Sequence, residues 1–172
     1  MNHSNFKIHP ELMFAQKYIF EPLGTRFSDL EHECESQEYG ALRFKINNFN
    51  ILFRVAKITP KKIGQFVTIW KRINKGPIMP FDSSDPIDLV IICVRQDNLR
   101  GYFVFPQQIL INQKIFSHNH KDGKRAIRVY PSWDQTKNRQ AQTTQRWQIK
   151  YFFEFGPDTE KLNLLLRQTL SV

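Results

Sequence analysis

Leu89-Val-Ile-Ile-Cys-Val94 is a run of six apolar residues with no polar alternation. A run of this kind reads as a strand covered on both faces, and therefore central in its sheet. That segment constrains the architecture most: the chain must be a sheet protein with other elements packed over it. At 172 residues, with 41% hydrophobic content and fifteen Phe, it has material for one domain with a sizeable, aromatic-rich core. The same composition argues against disorder.

The surrounding elements follow from periodicity and punctuation. His9-Pro10-Glu11 opens a first helix, and Ser28-Asp-Leu-Glu31 opens a second as a capping box. Leu42, Phe44 and Ile46 alternate with Arg43 and Lys45, the period of a half-buried strand. Asn47-Asn48-Phe49-Asn50 turns the chain, and residues 51–58 return as the second strand of a hairpin. Thr59-Pro60 predicts a helix start, Thr as N-cap and Pro at N1, with Ile63, Phe66, Val67, Trp70 and Ile73 as its apolar stripe. A Pro-rich loop over 76–88 leads into the central strand. A turn at Gln96-Asp97-Asn98, a strand at 101–105 and a short helix at 107–110 follow. Asp122-Gly123-Lys124 turns into a strand at 125–130. Residues 143–155 carry both periods, and Ala and Gln favour helix in the first half. Leu162, Leu165, Leu166 and Leu170 mark a C-terminal helix. The expected fold is α/β or α+β, one domain with a mixed sheet of about five strands flanked by helices. Acidic N-terminal helices occupy 1–38, the core 39–155 and the last helix 157–172.

Charge is distributed unevenly. The chain carries a net +9, yet residues 1–40 hold seven acids and three bases, so the rest carries +13. From Tyr39 to Phe81 there are nine Lys/Arg and no Asp or Glu. Such a segment repels itself unless its cations face water singly or meet an anion. Nucleic acid or an anionic membrane surface is the matching partner. No apolar run approaches the roughly 20 residues of a membrane span. The first residues lack the basic start and apolar block of a secretory signal, so the cytoplasm is the expected compartment. Cys34 and Cys93 read as reduced thiols, Cys93 buried within the apolar run.

Two basic clusters are candidate anion sites. At Thr59-Pro60-Lys61-Lys62 the predicted helix start offers free N–H groups and a positive dipole end. Two lysines there are unfavourable unless an anion such as phosphate arrives. Arg54 and Lys57, on the strand leading in, add charge, while a merely solvated helix start is the competing reading. In Lys121-Asp-Gly-Lys124-Arg125-Ala-Ile-Arg128-Val-Tyr130, strand parity puts Lys124, Ala126, Arg128 and Tyr130 on one face. That suits a surface that tracks a backbone and stacks bases; an edge strand guarded by charge is the alternative. Trp70, Trp133 and Trp147 each read as core before base platform; Trp133, in a polar loop after Tyr130-Pro131, has the best claim to exposure, where it could stack on a base. Catalytic signals are sparse: no Gly-rich phosphate loop, no nucleophile elbow, and no partners around His118-Asn-His120 for zinc. Asp82, Asp85 and Asp88 precede the central strand, where turn and capping roles compete with metal binding. A magnesium-dependent nuclease would need converging acids and a lysine; Asp88, as metal ligand, with Glu35 or Glu38 and Lys57 are the candidates.

Glu38-Tyr39-Gly40-Ala41 and Arg54-x-x-Lys57-x-Thr59-Pro60-x-Lys62-x-Gly64-Gln65-Phe66-Val67-x-x-Trp70-Lys71-Arg72 resemble the MepB family. So do Pro80-Phe81-Asp82, Asp88-Leu89, Gly101-x-Phe103-Val104-Phe105-Pro106, Gly123-Lys124-Arg125-x-x-Arg128-Val129-Tyr130-Pro131-x-Trp133 and Gln145-x-Trp147-Gln148. The resemblance spans 38 to about 155, most of the chain. It implies a small bacterial cytoplasmic protein with a restriction-endonuclease-like fold of the PD-(D/E)XK class. That class implies nucleic-acid binding and, where complete, an acid on one strand and an acid-x-Lys on the next. Asp88 can stand for the first acid, but Val55-x-Lys57 keeps the lysine and lacks the acid.

The sequence therefore predicts binding of DNA or RNA on a nuclease-like fold without a complete catalytic site. Phosphates would meet Arg54, Lys57, Lys61, Lys62, Arg72, Lys124, Arg125 and Arg128, with Tyr130 and Trp133 alongside. The alternatives are a nuclease requiring Mg²⁺ and a protein-interaction module whose acidic N-terminal helices cover the basic face. No small-molecule cofactor is expected.

Overall fold

The computed structural model describes residues 8–33 and 36–170. Cys34 and the candidate acid Glu35 lie outside the described residues. In chain order the elements are α1 (Pro10–Ala15), β1 (Phe27–His32), β2 (Leu42–Ile46), β3 (Phe49–Val55), β4 (Lys57–Thr59), β5 (Lys62–Thr68), β6 (Trp70–Arg72) and β7 (Ile78–Pro80). They continue with β8 (Leu89–Gln96), β9 (Leu99–Pro106), α2 (Gln107–Asn112), β10 (Ala126–Val129), α3 (Arg139–Gln148), β11 (Phe152–Glu154) and α4 (Thr159–Leu170).

The apolar run is β8, and it is central as expected. It pairs in parallel with β3 and antiparallel with β9, inside a six-stranded mixed sheet of order β1-β2-β3-β8-β9-β11. Strand parity sends its residues into two cores. Leu89, Ile91 and Cys93 join the first, against Leu12, Ala15 and Ile19 of the α1 segment and Leu162, Leu166 and Leu170 of α4. Val90, Ile92 and Val94 join the second, under a three-stranded sheet of order β10-β5-β4 and under α2. The result is one α+β domain: α1 and α4 on one face of the main sheet, and a small second sheet with α2 and α3 on the other. Tight turns punctuate it where Asn and Asp accept positive φ, Asn47 (54°) between β2 and β3 and Asp97 (51°) between β8 and β9. Among the described residues no helix is long and apolar enough to cross a membrane.

Two expected helices are strands. Residues 28–31 form part of β1, an edge strand on β2, with a register shift where Asp29 sits at φ 51°. The capping-box pattern was local, and Phe27 opposite Ile46 and its ring against Phe44 (4.3 Å) hold the segment to the sheet instead. Residues 59–73 hold β5 and β6 rather than a helix. Gln65, Val67 and Ile69 are buried while Phe66, Thr68 and Trp70 are half-exposed, a period of two. Ile63 and Ile73, both on the presumed helical stripe, are exposed. β-branched residues and pairing with β10 favour a strand here. Pro60-Lys61 is then a two-residue hairpin turn between Thr59 and Lys62, with Lys61 at φ 69°. Proline followed by positive φ is the mark of a type II turn. The helix dipole expected at Lys61-Lys62 therefore does not exist.

Candidate functional site

The β4–β5 hairpin, β10 and α3 enclose a groove of about 660 Å³. β10 pairs with β5 through Arg128 opposite Phe66 and Val129 opposite Gln65. On the other side α3 supplies Gln148, which substitutes for a further strand. Its Nε2 donates to the Arg128 carbonyl (2.9 Å) and its Oε1 accepts from the Tyr130 N–H (2.9 Å). These two bonds satisfy backbone groups that an edge strand would leave open. Asn138 caps α3 by accepting from the Ala141 N–H (2.8 Å), and its first turn carries no acid.

The lining is cationic: Lys61, Lys62, Lys124, Arg128 and Lys137, with no Asp or Glu. Among the described residues the four lysines have no carboxylate partner. Arg128 is committed to the fold. Its guanidinium donates to the Gly64 carbonyl (2.9 Å) and to Thr59 Oγ1 (2.6 Å), stapling the hairpin to β10. The Tyr130 ring closes over Gly64, and burial raises its phenol pKa against the opposing Arg128 charge. The expected face of Lys124, Ala126, Arg128 and Tyr130 thus lines the groove together with Lys61 and Lys62. Lys137 and the polar face of α3 (Gln140, Thr144) were missed. The available signal was another acid-free stretch, 135–153, with four Lys/Arg.

Other predicted residues fall elsewhere. Arg54 is completely buried; it pairs with Glu33 and donates to the Phe53 carbonyl (2.9 Å), so it meets no phosphate. Lys57 pairs with Glu38 (2.7 Å) over the Tyr39 ring, outside the groove. Arg72 donates to the Gly76 carbonyl (2.8 Å) on the β6–β7 ribbon, and Arg125 bonds Asp122 (3.2 Å). Trp133 is no exposed platform: its ring meets Phe152 edge-on (5.4 Å) and its indole N–H is buried. Gln145 of α3 causes this, clamping the Pro131 and Asp134 carbonyls (3.0 and 2.9 Å) and drawing the loop onto the core.

Among the described residues the nuclease constellation does not assemble. Asp88 sits at the start of β8, where Oδ2 accepts from the backbone and side-chain N–H of Asn50 (2.7 and 3.0 Å). Lys57 follows Ala56, whose N–H donates to Cys93 near the other end of β8. Five residues of strand, about 17 Å, separate those ends. Glu38 and Lys57 meet, but without Asp88. The remaining acids of the Pro-rich loop hold a lysine instead: Lys71 Nζ lies 2.5 Å from Asp82 and 2.6 Å from Asp85. Burial opposes ionisation of Asp82, but Lys71 and Ser84 outweigh it and hold its pKa down at about 2. Among the described residues no three His, Cys, Asp or Glu side chains come together as a metal site.

Fold and site together define a single-domain α+β protein with a carboxylate-free, cation-lined groove between a small outer sheet and a helix. The chain belongs to the MepB-like family, whose sequence profile matches residues 33–154. It is similar to MepB, whose crystal structure aligns over 86% of this chain and 98% of that one at 32% identity, with a TM-score of 0.74. A bacterial homing endonuclease aligns over 94% of this chain and 88% of its own at 18% identity, with a TM-score of 0.48. No curated protein matches the sequence.

Proposed function

We propose that this protein binds nucleic acid, DNA or RNA, in the groove between the β4–β5 hairpin and α3. One observation carries the reading: Lys61 and Lys62 on the hairpin, Lys124 before β10 and Lys137 before α3 have no carboxylate partner among the described residues and line one concavity that none of the described carboxylates lines. Phosphate oxygens would supply the missing negative charge and release condensed counterions. Half-exposed polar side chains on α3 would complete the contacts to sugar and phosphate. Among the described acids of the N-terminal segment, Glu11, Asp29, Glu33 and Glu38 pair with cations elsewhere on the molecule.

The test is fluorescence anisotropy with labelled duplex DNA, single-stranded DNA and RNA. Lys61→Glu with Lys62→Glu should weaken binding by about tenfold or more. Arg125→Ala, equally exposed but outside the groove, should leave it unchanged. Unaltered affinity in the double charge reversal would place the site elsewhere.

A further inference from the structure

The β4–β5 hairpin presents apolar as well as cationic side chains at its tip. Ile58 is 59% exposed and Ile63 38%, on either side of Pro60-Lys61, and Ile63 lines the groove beside Lys61 and Lys62. Neither isoleucine belongs to either core. The tip that carries them is held rigidly. Arg128 bonds both of its strands, at Thr59 and Gly64, and Tyr130 packs so closely on Gly64 that a Cβ there would lie 2.5 Å from the ring. A rigid tip that pairs exposed β-branched side chains with unpartnered lysines is suited to enter a stacked, charged polymer.

We propose that this hairpin is a wedge for duplex nucleic acid: Lys61 and Lys62 hold backbone phosphates while Ile63, flanked by Ile58, enters a base step and unstacks it. The proposal rests on the nucleic-acid reading of the groove. A lipid surface would also accept a basic tip with exposed isoleucines. The cations here, however, line both walls of a concavity, Lys61 and Lys62 on the hairpin and Lys137 just before the Asn138 cap of α3. A rod can occupy that concavity, whereas a flat bilayer reaches only the tip.

The experiment titrates the full chain into a short duplex carrying 2-aminopurine, whose fluorescence rises on unstacking, with anisotropy of the same duplex read in parallel. The wild type should raise the fluorescence several-fold as it binds. Ile58→Ala with Ile63→Ala should abolish most of that rise at protein concentrations where anisotropy shows the duplex saturated. Both side chains lie outside the cores, and Ile63→Thr, which keeps the branched Cβ, gives a second variant with the same expected loss. Binding without any rise, or a rise that survives both variants, overturns the wedge and leaves the groove reading standing. No duplex binding at all overturns both. Isoleucine-dependent binding to phosphatidylglycerol vesicles, with no fluorescence change on DNA, would make the tip a membrane anchor and also overturn the wedge.

Discussion

Arg54 shows how a side chain's surroundings override its sequence context. It stands in the most basic stretch of the chain, yet it is fully buried, with Glu33 as its counterion and Arg43 sharing that carboxylate at 2.7 Å. Burial lowers the guanidinium pKa and Glu33 opposes the shift, so the pair stands or falls together. Glu33→Gln should destabilise the fold by about 3 kcal/mol, the lower end for a broken buried pair, as Glu33 keeps some solvent contact. Urea unfolding measures it, and binding of the folded fraction should not change. Asp82 makes the opposite case, a partly exposed acid with a depressed pKa. Its folded pKa of about 2 lies below its ordinary value of 3.8. It therefore adds stability that is complete above the ordinary value and lost as pH falls toward 2. Asp82→Asn should flatten the stability–pH curve between those values and lower stability at neutral pH, as acid titration followed by circular dichroism would show.

Among the elements, the β4–β5 hairpin matters most to the site, and its local pattern is also that of a helix. Thr59-Pro60 is as good a helix start as it is a turn, and Ile63, Phe66, Val67, Trp70 and Ile73 fit a helical stripe. The strand wins because Val67 and Ile69 can cover β8 and because β10 offers a pairing partner 58 to 64 residues along the chain. Gly64 is the position that permits it, at φ 83° directly under the Tyr130 ring. Gly64→Ala meets both obstacles, positive φ and a ring at 2.5 Å, and should cost about 1–3 kcal/mol of stability. Because Arg128 and Tyr130 fix the hairpin through this residue, the variant should also weaken nucleic-acid binding, as anisotropy on the folded protein would reveal.

Across the whole molecule, opposite charges are sorted rather than mixed. Acids of the N-terminal third neutralise the main sheet, Glu11 with Arg95 and Arg100, Asp29 with Lys45, Glu33 with Arg43 and Arg54, while Glu38 pairs with Lys57 at the start of β4. The excess of cations is thereby left to the outer sheet and α3. If Lys61, Lys62, Lys124 and Lys137 each meet one phosphate, the logarithm of duplex affinity should fall with the logarithm of salt at a slope of about −3 to −4. Each Lys→Ala change among them should reduce that slope by about 1, whereas Lys57→Ala should not. Anisotropy across a salt series reads both.

Sequence alone determined what depends on near neighbours. The apolar run at 89–94 announced a strand covered on both faces, the alternation at 42–46 its neighbour, the leucines at 162–170 a packed helix, and the charge count an excess of cations. These features are legible because side-chain period and composition are local properties of the chain. Tertiary structure alone decided which cations remain free. Glu33 lies 21 residues from Arg54 and Glu11 lies 89 from Arg100, and no local pattern says which carboxylate will neutralise which base. It also decided that Asp88 and Lys57 stand near opposite ends of a strand, and that Lys137, just before a distant helix, lines the same groove as the hairpin lysines. Contacts between distant segments set those outcomes, and they exist only once two cores have closed on either face of the central strand.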